Sequence, residues 1–172
     1  MFKWGDIYVD DLIKEGMSKE NVMETIFDDK FLADNIIKDC IERSFYNLEK
    51  RENITDIKIS DYIKQNYSDR QMFYAPNHPN NELLIEMSKR ILGYLGFDVD
   101  LNAEAASTFV SLMGEDVVVY PAVIRYLNLK QYYKKFFPNR YIENLAYSSK
   151  DYYSLYYDIM KNKIFEENNL ED

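Results

Sequence analysis

The sequence predicts a single, mainly α-helical domain, and three observations carry that prediction. Apolar residues recur at spacings of three to five along most of the chain. Glycine, serine and proline stand where such helices should stop and start. Only Arg70–Tyr74 and Val117–Tyr120 are short and aromatic or β-branched enough to read as extended, with a short parallel pair left open. At 172 residues, folding buries roughly 70% of the unfolded chain's surface, so a sizeable core needs no staples. Residues 1–165 read as one domain and 166–172 as an acidic, frayed tail.

The elements follow in order. Ile7, Leu12 and Ile13 mark a short amphipathic helix closed by Gly16, a residue that tolerates positive φ. Ser18 can cap the next helix, whose apolar stripe is Val22, Met23, Ile26 and Phe27. A long helix is expected from about Phe31 to Arg51, with Phe31, Ile36, Ile37, Cys40, Ile41, Phe45 and Leu48 as its stripe. Cys40 reads there as a small buried hydrophobe. Ile57, Ile59, Tyr62 and Ile63 suggest a short helix capped by Asp56 or Ser60.

Leu83, Leu84, Met87, Ile91, Leu92 and Leu95 keep helical spacing, and Gly96 closes that helix. Within 97–116, Phe109, Val110 and Leu112 are expected to be helical. Pro121 suits the first position of a short helix ending at Leu127. Lys130–Phe137 is a Lys/aromatic segment ended by Pro138-Asn139. Ser148 or Ser149 should cap a last helix carrying Tyr152, Tyr153, Leu155, Tyr156, Ile159 and Met160.

Charge narrows the function. Twenty-one basic residues against thirty acidic give −9 and a pI near 4.7, which argues against nucleic acid or an anionic membrane as partner. One cysteine excludes an internal disulfide, and one histidine, His78, leaves no Cys/His cluster for zinc. Five glycines make a Gly-rich phosphate loop a poor reading. Asp28-Asp29 and Glu115-Asp116 read as solvated loop charges rather than metal ligands, so no metal is expected. No apolar run reaches the ~20 residues of a membrane span. The polar start Met1–Asp6 shows no signal peptide, so a cytoplasmic protein is expected.

The segment Phe73-Tyr74-Ala75-Pro76-Asn77-His78-Pro79-Asn80-Asn81-Glu82 carries the most chemistry. Pro79 keeps His78 out of the α region. With Pro79 as the first helical residue, His78 becomes the N-cap, and the amides of Asn80 and Asn81 point at whatever lies beside the imidazole. Helix N-termini attract anions and favour a neutral histidine, a suitable base for a hydroxyl proton. A turn histidine bonded only to backbone is the competing reading.

Phe73–Pro79, with the helix ending Arg90-Ile91-Leu92-Gly93-Tyr94-Leu95-Gly96, resembles the WcbI-type family of capsular-polysaccharide biosynthesis enzymes. Three further stretches are similar to family passages, in order: Arg51-Glu52 with Asp56-Ile57-Lys58-Ile59-Ser60, Val119-Tyr120-Pro121-Ala122-Val123 with Leu127-Asn128-Leu129, and Tyr152–Tyr157. The resemblance implies the C-terminal half of an SGNH-like α/β enzyme. It also implies an acetyltransferase that uses coenzyme A or acetyl-CoA on a surface saccharide. His78 and Asn77 match the family's Asn-His-Pro motif and are the expected catalytic residues. Arg51, Arg70, Asn80 and Tyr120 are the expected cofactor contacts, the two arginines because a guanidinium fork suits phosphate or carboxylate. Family members begin with a further region opening on a Gly-Asn-Cys-type segment, which has no counterpart here; Cys40 stands as Asp39-Cys40-Ile41. A complementary N-terminal half or a second copy is therefore an expected partner. The alternative expectation is a helical binding module that keeps the fold without the reaction.

Overall fold

A computed structural model describes residues 5–75, 78–98, 101, 117–132 and 148–168. The elements are α1 (Ile7–Lys14), α2 (Lys19–Ile26), α3 (Asp34–Glu52), α4 (Ser60–Asn66), β1 (Phe73–Ala75), β2 (His78–Pro79), α5 (Asn81–Tyr94), α6 (Pro121–Leu127) and α7 (Ser149–Asn168). The described architecture is mainly helical, with one small two-stranded sheet.

Local chemistry ends most helices where the spacing predicts. Gly16 (φ +80°) and Gly96 (φ +82°) both sit in the left-handed region that glycine enters at no steric cost. Each closes a Schellman turn, the amides of Met17 and Phe97 reaching back to the carbonyls of Leu12 and Leu92. Asn128 (φ 49°) ends α6 with the same pattern, the Leu129 amide bonding the Ile124 carbonyl. The Ser18 hydroxyl accepts from Asn21 N–H, and Pro121 occupies the first turn of α6. Ser148 and Asp151 form a reciprocal capping box at the start of α7.

The core has three parts. Val9, Ile13, Val22 and Ile26 of α1 and α2 pack with Val118 against Tyr152, Tyr153, Tyr156 and Tyr157 of α7. Ile59, Ile63, Met72 and Leu83 form a second cluster joining α4, the approach to β1 and α5, with Phe45 and Leu48 of α3 lying on it. Leu32, Ile37 and Ala122 form a third, between α3 and α6. Arg90 clamps α5 to α4, its fork gripping both carboxylate oxygens of Asp61 at 2.6 and 3.1 Å and its Nη1 also reaching the Lys58 carbonyl. That grip holds the Asp61 carboxyl below its ordinary range.

Several expectations are corrected. The long helix starts at Asp34 rather than near Phe31. Cys40 is exposed, not buried. The packed face of α3 runs through Ile37, Ile41, Phe45, Leu48 and Glu52, and at ~100° per residue Cys40 falls about 60° to one side of Ile37. Val117–Tyr120 forms no strand, and β1 pairs instead with β2; that pair is antiparallel, because the two are two residues apart in sequence and a parallel pair needs a crossover of a dozen residues or more. Neither Asp56 nor Ser60 caps α4. Glu52 does so from the last turn of α3, its buried carboxylate accepting from the amides of Ile59 (2.6 Å) and Ser60 (2.8 Å). Helix α7 continues to Asn168, three residues into the stretch expected to fray. The expected helix around Phe109–Leu112, the Glu115-Asp116 pair and most of Lys130–Phe137 lie outside the described residues.

Candidate functional site

His78-Pro79 forms the second arm, β2, of an antiparallel pair with β1, and the chain passes from it into α5. Phe73 is opposite Pro79 and Ala75 opposite His78, with an irregular register between. Met72 extends the pairing, its carbonyl accepting from Asn80 N–H at 2.8 Å. His78 is half-buried in β2, with Nδ1 shielded from solvent. It is not the N-cap of α5. That position belongs to Asn80, whose Oδ1 accepts from Leu83 N–H at 3.0 Å. Pro79 stays extended because strand pairing and the cap at the very next residue are satisfied together, which a helix starting at Pro79 would forbid.

Asn80 is buried and committed at both ends. Besides the cap, its Nδ2 donates to the Gln71 carbonyl at 2.5 Å, lacing the approach of β1 to the start of α5. An asparagine supplies acceptor and donor in one side chain; aspartate supplies only the first. We expect Asn80→Ala to lower unfolding free energy by about 2 kcal/mol, a lost cap plus a lost buried donor. Asn80→Asp keeps the cap acceptor but turns a carboxylate oxygen toward the Gln71 carbonyl, so it should lose about as much. Urea unfolding of the two variants checks both values.

Arg70 approaches the same helix end. Its Nη1 donates to Glu82 Oε1 at 2.6 Å and to Tyr62 Oη at 3.3 Å, while Tyr62 Oη donates to that same Glu82 oxygen at 2.9 Å. Partial burial, and then the Glu82 carboxylate, push the Tyr62 phenol upward. The first turn of α5 therefore holds its own carboxylate, Glu82, neutralised by Arg70. Arg51 lies apart on the exposed last turn of α3, beside the inward-facing Glu52.

Tyr120 belongs to another constellation. Its Oη donates to Asp6 Oδ2 at 2.5 Å, and Tyr153 Oη donates to the same atom at 2.8 Å. Asp6 Oδ1 caps α1 through Val9 N–H (3.3 Å). Its amide donates to Tyr156 Oη (2.7 Å), which in turn donates to Asp10 Oδ1 (2.7 Å). Tyr120 and Tyr153 stack with rings 9° from parallel, centroids 5.8 Å apart. Burial first, and then the Asp6 carboxylate, drive the Tyr120 and Tyr153 phenols far above their ordinary range; burial does the same for Tyr156, beside Asp10. One bond links this cluster's segment to the hairpin: Val117 N–H donates to the Tyr74 carbonyl at 2.9 Å.

The fold thus places Asn80 and Arg70 at the start of α5, and His78 two residues before the cap, in β2. Arg51 sits at the end of α3, and Tyr120 in the Asp6 cluster; Asn77 lies outside the described residues. Sequence reasoning passed over Asp6, Glu52, Tyr62 and Glu82. Only Asp6 carried a local signal, an aspartate just before an apolar-periodic segment.

Comparison with known proteins now decides the family. Residues 1–100 match the family described as polysaccharide biosynthesis enzyme WcbI. The chain belongs to the WcbI family. Its fold is also similar to a solved structure of WcbI, a polysaccharide biosynthesis enzyme, in the native form without a disulfide bond between coenzyme A and a cysteine of that protein. The TM-score is 0.61 at 17% identity, over 91% of this chain and 52% of that one. The chain therefore spans about half the length of this solved WcbI relative. No curated protein matches. Among the described residues of this WcbI-family chain, no group of three or more His, Cys, Asp or Glu side chains is placed to hold a metal ion, and no helix is long and apolar enough to cross a membrane.

Proposed function

We propose that this chain carries part of a coenzyme A-dependent acetyltransferase that modifies a sugar hydroxyl of a capsular or other surface polysaccharide. The observation that carries the reading is membership of a polysaccharide biosynthesis family, one of whose solved members is described in relation to coenzyme A. In this reading the half-buried His78 takes the hydroxyl proton as the sugar oxygen bonds to the acyl carbon. The thioester C–S bond breaks, and that proton passes to the departing thiolate. Asn77 orients the imidazole or the acyl oxygen. Arg51 meets a phosphate of the coenzyme, and Arg70 does so by exchanging its Glu82 partner. Asn80 acts through the backbone it fixes, and Tyr120 lines the approach. The remaining half of the family fold is supplied by a complementary segment or a second copy.

Calorimetric titration with coenzyme A, wild type against His78→Ala, tests this. Micromolar binding by both, with acetyl transfer to a sugar acceptor lowered about 10²-fold or more in the variant, is the expected result. Transfer should be assayed with the complementary half added. No binding by a well-folded, monodisperse chain at millimolar coenzyme A would overturn the reading in favour of a non-catalytic helical binding module.

A further inference from the structure

We propose that the open groove beside α2 and the loop leading into α3 is a saccharide subsite, taking one or two uncharged sugar rings. The choice of ligand class rests on the polysaccharide-modifying reading above. The groove has a volume of about 560 Å³ and is lined by Met17, Asn21, Glu24, Thr25, Asp28, Lys30 and Phe31. That volume lies within the range of small-molecule sites, and the lining combines apolar surface with convergent polar groups.

The lining offers an apolar surface for one face of a sugar ring and polar groups for its hydroxyls. Phe31 supplies an aromatic surface held in place by edge contacts to Tyr8 (5.8 Å, 78°) and Tyr120 (5.4 Å, 66°). Such a ring suits the C–H face of a pyranose. Around it stand an amide (Asn21), two carboxylates (Glu24, Asp28) and a hydroxyl (Thr25), the acceptors and donors that ring hydroxyls need. Asp28 is oriented by the Lys30 amide, which donates to its Oδ1 at 2.7 Å. Thr25 Oγ1 donates to the sulfur of Met17 at 3.9 Å, a weak acceptor that a sugar oxygen would readily replace. Hydroxyls donating to carboxylates form the stronger, charge-assisted class of hydrogen bond.

Charge selects the ligand. Glu24 and Asp28 outweigh Lys30, so the groove repels a pyrophosphate and favours an uncharged, hydroxyl-rich molecule. Phe31 also packs edge-on against Tyr120, and Val117 of that same stretch donates to the Tyr74 carbonyl of β1.

The test is amide chemical-shift mapping on the full chain with three probes: methyl α-mannopyranoside, methyl β-galactopyranoside and methyl α-glucopyranoside, each at tens of millimolar. At least one should shift the amides of Met17–Phe31. Asn21→Ala and Glu24→Lys, both exposed positions, should each weaken that binding about 5-fold or more with the helical signal unchanged. Absence of shifts with all three glycosides, or shifts that map elsewhere or survive both variants, overturns the subsite. A parallel titration with coenzyme A separates the two claims. Coenzyme shifts without glycoside shifts refute the groove and leave the acetyltransferase reading standing; glycoside shifts alone uphold the groove and refute the coenzyme site.

Discussion

Replacing Asp6 by alanine is expected to remove about 3 kcal/mol of stability, among the largest effects of any single substitution in this chain. The carboxylate does three things at once. It caps α1 through Val9, it accepts from Tyr120, and it accepts from Tyr153 on α7, 147 residues away. A lost N-cap costs about 1 kcal/mol. A buried donor left without its acceptor costs about 1–3 kcal/mol, and Tyr153 is only 3% exposed. Tyr120 is half-buried and recovers part of its loss from water. The sum is a large fraction of the 5–15 kcal/mol typical of a whole domain. Urea unfolding should show the midpoint falling, and a cycle with Tyr153→Phe should give a coupling of about 1–2 kcal/mol. A loss below about 1 kcal/mol would mean that the phenols have ready substitutes for Asp6.

This cluster also shows where sequence reading stops. Helix ends are local chemistry, so Gly16, Ser18, Gly96 and Pro121 were legible: each acts on residues within one turn of itself. The family motif was legible too, as a pattern around His78. Partners far apart in the chain were not. Nothing near Asp6 announces Tyr153, and nothing near Ile59 announces that Glu52 would take its amide. The same limit misplaced Cys40. Periodicity shows that α3 is a helix with an apolar side, but which few residues of that side are covered depends on where α4 and α6 land.

The cap of α5 failed for a different reason. Both His78 and Asn80 can precede a helix, and Pro79 is acceptable either in a strand arm or at a first helical position. The choice was made by Gln71 and Met72, whose carbonyls take the Asn80 side chain and amide. The result matters for chemistry. His78 stands two residues before the cap, within the hairpin rather than at the helix end, and the helix end itself holds Glu82 against Arg70. An anion arriving there would have to displace the Glu82 carboxylate before it met Arg70.

Alkali should unfold this protein cooperatively, and the same tyrosines are the reason. Tyr120, Tyr153 and Tyr156 have phenols pushed upward by burial and by the Asp6 and Asp10 carboxylates, so the folded state keeps their protons where the unfolded chain gives them up. The sign follows directly. Below about pH 10 both states hold the protons and the contribution is fully present; above it the unfolded state binds fewer, and stability falls as pH rises. Each phenol that stays protonated removes about 1.4 kcal/mol per pH unit in that window. Tyr153 and Tyr156, 3% and 1% exposed, together withdraw about 3 kcal/mol by ~pH 11, with half-buried Tyr120 adding less. Helical circular dichroism should therefore collapse together with a step in tyrosinate absorbance. Tyr153→Phe cannot release that proton, so its transition should be shallower in pH even though its stability at neutral pH is lower. Absorbance rising gradually while the helical signal holds would mean that the phenols titrate within the folded state, and that the Asp6 cluster is open to water.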